Sequence, residues 1–312
     1  MNKNLTKIST VGMSHEEWLE HRSKTIGGSD ASAILGMNSY SSPYTVWAEK
    51  LGKLPPKEDN EAMRIGRDLE AYVAQRFTEK TGKKVRRENN ILWSPDYPFA
   101  HANVDRMVVG EDAGLECKTT SSLNITKFKN GEFPENYYAQ CVHYLMVTGC
   151  KKWYLGVLVL GKGFFDFEVE RDEGEIAALA KSEADFWEYV KTKTPPAADG
   201  SDSTSETIST IFPNSNTETV NLFAYEDSLK QYLALGKQIK ELKTLQDEMA
   251  NKVKSFMSEA GKGESDKFKV SWLTTDRATF DNKRFAEEHP NVDLTDYYKL
   301  SSYRTFRVTE KN

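Results

Sequence analysis

The sequence predicts an α/β fold: a mixed central β-sheet flanked by helices, with a helical module at the C-terminal end. Three observations carry this. Residues 61–81 place Met63, Ile65, Leu69, Val73 and Phe77 mostly three or four apart, the spacing of an amphipathic helix. Residues 89–119 switch to strand-like runs interrupted by the turn sequence GEDAG. WYLGVLVLG (153–161) is a continuous apolar run suited to a buried central strand, and FFDFEVE (164–170) alternates like its neighbour.

Taken from the N-terminus, residues 14–51 hold three short helices. Ser14 caps HEEWLEHR, Ser29 precedes DASAILG as a cap, and Pro43 opens YTVWAEKLG, which Gly52 ends. LPPKEDN is a loop before the 61–81 helix, and Gly82 stops that helix. ILWS, FAHANVDRMVV and GLECKTT read as strands, the last two joined as a hairpin. Pro134 opens a helix over 134–148, and another covers 172–192 before Pro195-Pro196. Pro, Ser, Thr and Asp crowd the next stretch, so 1–196 reads as one domain and 197–220 as a linker. Residues 221–312 are a separate module. There Leu235, Ile239, Leu242, Met249, Val253 and Phe256 recur with heptad-like spacing interrupted by Gln246, which predicts one long helix with a narrow apolar seam. That seam is expected to pack within the chain or to meet a partner helix. Residues 267–312 read as a small strand-and-helix cap rich in aromatics.

Composition narrows the function classes. The chain has 312 residues, 38% hydrophobic and 29% charged, ordinary for a soluble globular protein with one sizeable core. No run of about 18 apolar residues occurs, which argues against a membrane span, and MNKNLTKIST lacks the apolar region of a secretory signal. Cys117, Cys141 and Cys150 have no C-x-x-C spacing, which argues against a disulfide framework, structural zinc and a four-cysteine iron–sulfur cluster. A reducing cytoplasm is the compartment this implies. The net charge of −5 speaks against general attraction to nucleic acid, but a binding site needs only a local basic patch. EKTGKKVRRE (79–88) carries five basic and two acidic side chains, with Arg64, Arg67, Lys127 and Lys129 elsewhere in the same half of the chain. Taken alone, that stretch is equally a solvated charged turn.

Asp105 and Glu116 lie on successive predicted strands with ten residues between them. Alternation points Glu116 and Lys118 to one face and Leu115 and Cys117 to the other. A hairpin sets Asp105 beside Glu116. Two carboxylates on one face can hold Mg²⁺, which prefers oxygen ligands and keeps several waters. An adjacent ammonium can orient or help deprotonate water and offset charge on a phosphodiester under attack. Glu70, on the 61–81 helix, is a candidate to complete the shell. Glu-x-Lys is also a common exposed ion pair, so spacing alone leaves both readings open.

Several ordered blocks extend beyond these residues. IGGSDASAILGMNSYSSPYTVWAEKLGK (26–53), IGRDLEAYVAQRF (65–77), NVDRMV with GLECKT, YYAQCVHYLMVTG (137–149) and ERDEGEIAALAKSEADFW (170–187) with its following TPP resemble the lambda-exonuclease-like, or YqaJ-type, viral recombinase nucleases of the PD-(D/E)XK superfamily. The likeness covers about residues 20–200 and implies a restriction-endonuclease-like core. It implies that Asp105 and Glu116 are metal ligands, with the backbone carbonyl of Cys117 a third, Lys118 the catalytic lysine and Glu70 the helix-borne carboxylate. Gln140 falls at the active-site glutamine. Arg22 and Ser29 fall where a 5′-phosphate is bound, and Asn103 stands on the phosphate side where relatives often have serine. Val104 replaces a usual proline, and Val142 occupies a second glutamine position.

The activity implied is Mg²⁺-dependent, with Mn²⁺ able to substitute: 5′-to-3′ degradation of one strand at double-stranded DNA ends. The 3′ single strand left behind would go to a phage-type annealing protein. A ring-like homo-oligomer, and action in the cytoplasm of a host carrying the phage or prophage, belong to the same expectation. The rival readings are an endonuclease of the same superfamily and a non-catalytic DNA-end binder or assembly adaptor.

Overall fold

The structure, a computed structural model, describes residues 4–311. β1 (Thr6–Ser9) lies in the N-terminal stretch, for which no strand was expected above, and pairs antiparallel with β3 (Asn90–Trp93). α1 (His15–Ser23) starts at a capping box in which Ser14 and Glu17 satisfy each other's backbone N–H groups. α2 (Gly28–Ile34) is capped by Gly27, whose N–H is taken by the Asp30 carboxylate. Ser29 therefore sits inside the first turn and not at the cap position expected for it. α3 (Pro43–Lys50) follows Ser42 as its N-cap. The apolar stripe of the 61–81 segment forms α4 (Glu61–Thr81), which ends at a left-handed Gly82 (φ 73°).

β2 (Val85–Arg87), β4 (His101–Asn103), β5 (Arg106–Val108), β6 (Ala113–Thr120), β7 (Lys152–Val159) and β8 (Gly163–Glu170) complete the two sheets of this unit. The central sheet has the order β2-β5-β6-β7-β8, with β6 and β7 parallel and the remaining pairs antiparallel. A smaller sheet has the order β1-β3-β4. FAHANVDRMVV is thus not the single strand expected from its pattern. The chain bends at Val104-Asp105, leaving β4 in the small sheet and β5 in the central one, as strands do at a corner between sheets.

α4 covers one face of the central sheet through Ala74 and Phe77, which pack on Val108, Ala113, Leu115 and Tyr154. α5 (Glu135–Thr148) covers the other face, with Leu145 and Cys141 against Trp153, Leu155 and Val157. α6 (Glu173–Thr192) packs behind α5.

The linker expected at 197–220 is partly structured. α7 (Asp202–Ile211) packs against α3. Thr204 donates to Ser42 Oγ at 2.7 Å, the Thr45 and Thr207 hydroxyls meet at 2.8 Å, and Ile208 and Ile211 join the Trp47 cluster. Serine and threonine resemble linker composition but here satisfy each other across a helix pair, so their hydroxyls can be buried. The first compact unit accordingly runs to Phe212, past the boundary expected at residue 196, and a second begins at Pro213.

In that second unit α8 (Glu226–Met257) extends the predicted long helix, β9 (Lys262–Glu264) and β10 (Lys269–Ser271) pair as a hairpin, and α9 (Asn282–Glu288) follows. The seam of α8 is exposed along its length. Among the described residues no helix is long and apolar enough to cross a membrane.

A chain ending at residue 212 should keep the melting temperature of the first unit, whereas one ending at residue 200 loses α7. Removing its buried hydroxyl pairs and isoleucines should lower Tm by on the order of 10 °C. Equal melting temperatures for the two truncations would show that α7 contributes nothing to the core.

Candidate active site

The site grows from one hairpin. Arg106 pairs with Leu115 and Met107 with Gly114, which brings Asp105 level with Glu116. Asp105 Oδ2 accepts the Cys117 backbone N–H at 2.8 Å. Along β6, Leu115 and Cys117 pack toward α4, while Glu116 and Lys118 turn to α5. Lys118 Nζ lies 2.7 Å from Glu116 Oε1. Gln140 on α5 donates from Nε2 to the same oxygen and to the Tyr144 hydroxyl, both at 2.8 Å. The Lys118 ammonium also stands 5.4 Å from the centre of the Tyr137 ring.

The electrostatics of this cluster are those of acids packed together. Burial, then Glu116 and Glu70, push the Asp105 carboxyl well above the usual carboxylate range. Burial opposes charge on Lys118, but Glu116 and Asp105 raise its proton affinity above that of an ordinary lysine. Burial likewise pushes the Cys117 thiol up, so its sulfur stays protonated and its backbone carbonyl is the oxygen it can offer. Glu116 Oε2 is buried with no hydrogen-bond partner among the described residues. An unsatisfied buried carboxylate oxygen is costly, and a hard cation would satisfy it.

Glu70 lies close enough to raise the Asp105 carboxyl but is itself paired with a cation. It binds Arg106 Nη1 at 2.5 Å, and the same nitrogen donates to the Asp105 backbone carbonyl at 2.7 Å. No group of three or more His, Cys, Asp or Glu side chains converges as a ready-made metal site among the described residues. Asp105, the unpartnered oxygen of Glu116 and the Cys117 carbonyl could hold a magnesium-like ion, with water filling the remainder, while Glu70 keeps its pair with Arg106.

A second cluster lies on α1–α3. Arg22 Nη2 donates to Ser29 Oγ at 2.8 Å and packs its guanidinium 4.7 Å from the Trp18 ring centre. Asp30 is 3.9 Å from Arg22 but only 2.6 Å from the buried Lys50 ammonium, which also donates to the Arg22 carbonyl. Lys50 thus takes up Asp30 and leaves most of the half-exposed Arg22 fork unpaired with it. Burial would raise the Asp30 carboxyl, but Lys50 and Arg22 together hold it below the usual range. Burial and Asp30 push neighbouring Glu49 up.

This cluster is tied to the hairpin. A Cβ on Gly28 would stand 2.6 Å from the Tyr144 ring, so glycine allows α2 to lie flush on the tyrosine that holds Gln140. Asn103, at the end of β4, keeps its side-chain nitrogen buried and without a partner among the described residues. Part of the basic stretch 79–88 is occupied by ion pairs: Lys80 with Asp166, Lys83 with Glu111, and Arg86 with Glu88.

Sequence reasoning missed Arg106, Tyr137, Tyr144, Lys50 and Asp30. Tyr137 and Tyr144 lie three before and four after Gln140, a helical spacing that would have put them on its face. Arg106 follows Asp105 directly, but nothing in sequence says that it reaches back to Glu70.

Residues 17–151 match the family model described as the YqaJ-like viral recombinase domain. The chain is 39% identical over 304 residues to "Uncharacterized protein YqaJ" of Bacillus subtilis (strain 168), covering 96% of this chain and 95% of that protein. Among solved structures it is similar to an alkaline exonuclease (LHK-Exo) from Laribacter hongkongensis, at 20% identity, 57% of this chain, 93% of that one and a TM-score of 0.47. A phage-related exonuclease from Haemophilus somnus 129PT matches at 10% identity, 54% of this chain, 96% of that one and a TM-score of 0.42.

Because the folded Asp30 carboxyl lies below its unfolded value, the unfolded chain binds an extra proton as pH falls through about 4. Stability from Asp30 is complete above that pH and lost progressively below it. Asp30→Asn should therefore be less stable near neutral pH, with Lys50 left unpaired, and should lose less Tm than the parent between about pH 5 and pH 3. Parallel Tm curves over that window would mean that Lys50 and Arg22 do not hold Asp30 ionised.

Proposed function

The chain belongs to the YqaJ-like viral recombinase domain family, and from that membership and the site geometry we propose that it is a Mg²⁺-dependent nuclease degrading one strand of duplex DNA from a free 5′ end. One observation carries this reading: Asp105 and Glu116 face each other across a hairpin, with Lys118 on Glu116 and the second Glu116 oxygen buried and free. That oxygen stands beside the second carboxylate, Asp105, an arrangement that a bound cation would stabilise.

Mg²⁺, or Mn²⁺ in its place, would supply Lewis-acid activation of water and charge neutralisation at the phosphate. The chain's own residues do the positioning. Gln140 and Lys118 share one Glu116 oxygen, which leaves the other as the one that would hold the ion. The Cys117 N–H holds one Asp105 oxygen, and Arg106 holds the backbone carbonyl of the same residue. The Lys118 ammonium places positive charge where negative charge accumulates on the phosphorus oxygens during attack. Arg22 and Ser29, already hydrogen-bonded, take the 5′-terminal phosphate, whose extra charge distinguishes it from an internal phosphodiester. Asn103 offers a further donor on that side.

The family's description as a viral recombinase supports the wider role. The 3′ strand left by such resection is a substrate for a single-strand annealing protein, in the cytoplasm of a bacterium carrying the phage or prophage.

Linear duplex with 5′-phosphate ends should be degraded with Mg²⁺ and not in chelator. Asp105→Ala and Glu116→Ala should abolish cleavage, Lys118→Ala should lose at least about 10²-fold, and Glu70→Ala should be milder. Near-parental turnover by Glu116→Ala would remove the reaction from this site.

Arg22→Ala should slow digestion of 5′-phosphorylated ends about ten- to a hundredfold more than 5′-hydroxyl ends, the scale of a charge-assisted hydrogen bond. A merely structural Arg22, packed on Trp18, would instead lower Tm and leave the substrate ratio unchanged. Cutting of covalently closed circles as fast as linear ends would make the protein an endonuclease.

A further inference from the structure

α8 is 32 residues long, so it extends about 48 Å, yet its one buried side chain is Met257 at the C-terminal end. Ile239 is 67% exposed and Leu242 65% exposed. A helix that buries so little gains little from packing within its own unit, and a continuous apolar stripe in water favours association. The spacing states what kind of association. Leu235, Leu242 and Met249 fall at the d positions of a heptad, and Ile239, Gln246 and Val253 at the a positions. β-Branched residues at a with leucine at d favour two parallel strands, and a single polar residue at a selects register.

Gln246 decides the arrangement. In an antiparallel pair a residues face d residues, so Gln246 would meet leucine or methionine. In a parallel pair shifted by one heptad it would meet isoleucine or valine. Either buries an amide without a partner, at a cost of about 1–3 kcal/mol. Only the parallel, in-register pair sets it against another amide. The flanking charges agree. Lys243 and Lys252 are paired within their own helix to Asp247 at 3.0 Å and Glu248 at 2.8 Å. Across a parallel interface Gln238 would face the partner's Lys243, and Lys252 would face the partner's Met257, so no like charges meet.

We propose that α8 is a dimerisation helix, pairing in register and parallel with α8 of a second copy of this chain. The inference does not depend on the nuclease reading.

Light scattering or sedimentation of the full chain at micromolar concentration should return twice the 35.4 kDa mass of one copy. Leu242→Asp should halve it, with the circular dichroism and melting of the first unit unchanged. Gln246→Cys should form an interchain disulfide on oxidation, because matched a positions lie side by side, whereas Lys240→Cys on the outer face should not. The parent chain, whose Cys141 and Cys150 are buried and Cys117 half-buried, is the control for native thiols. A parental mass of one copy would overturn the proposal, as would an assembly that Leu242→Asp leaves intact. Cross-linking of Lys240→Cys as efficient as that of Gln246→Cys would overturn the parallel, in-register arrangement.

Discussion

Antiparallel pairing of β5 with β6, in the register that sets Arg106 opposite Leu115 and Met107 opposite Gly114, decides which side chains share a face. A slip of one residue would send Glu116 and Lys118 into the apolar layer under α4 and turn Leu115 and Cys117 to α5. Burial fixes the register: Leu115 belongs under Phe77, and the lysine–glutamate pair can be buried only where α5 presents Gln140. Asp105 gains its place from the same pairing. It sits at the bend between sheets, where its carboxylate can still cap the Cys117 N–H. A carboxylate on a bend and another on a strand then face each other across one ladder rung.

The second layer is built on one tyrosine. Gly114 has no side chain because Trp153 on the neighbouring strand lies across it, and a Cβ there would meet the indole at 2.2 Å. Tyr144 packs on that indole with ring centres 5.0 Å apart, and Gly28 closes over its other side. The hydroxyl of this wedged ring receives Gln140, and Gln140 holds Glu116. Packing thus passes from two glycines through two aromatic rings to one carboxylate. Next along α5, His143 is fully buried between the Glu183 carboxylate at 2.7 Å and the His101 carbonyl at 2.8 Å, which ties β4 and α6 to the same helix. Burial opposes its charge, but Glu183 raises its proton affinity.

Two acids near the site are each paired with a cation that the proposed reaction does not use. Arg106 occupies Glu70, and Lys50 occupies Asp30. Arg22 consequently keeps a weak 3.9 Å contact to Asp30 where a close pair would have competed with any anionic ligand. Lys118 has no such substitute and remains on Glu116. In the basic stretch at 79–88, Lys80, Lys83 and Arg86 are each paired with an acid, which reduces the charge available there to a distant anion.

The sequence by itself determined the elements whose signals are local. Helical spacing in α4, the apolar run of β7 and the alternation of β6 follow from covalent periodicity, and so did the adjacency of Asp105, Glu116 and Lys118 once a hairpin was inferred. The motif blocks from Ile26 to Trp187 carried the family likeness without any coordinates. Tertiary structure alone decided that FAHANVDRMVV breaks at Asp105, because the break depends on which sheet each half joins. It decided that Ser- and Thr-rich 202–211 is a packed helix, since its hydroxyl partners Ser42 and Thr45 lie about 160 residues away in sequence. It also decided that Glu70 goes to Arg106 and Asp30 to Lys50. Which of several nearby cations a buried carboxylate takes is a matter of ångström-scale distance and of desolvation, and neither is written in spacing along a chain.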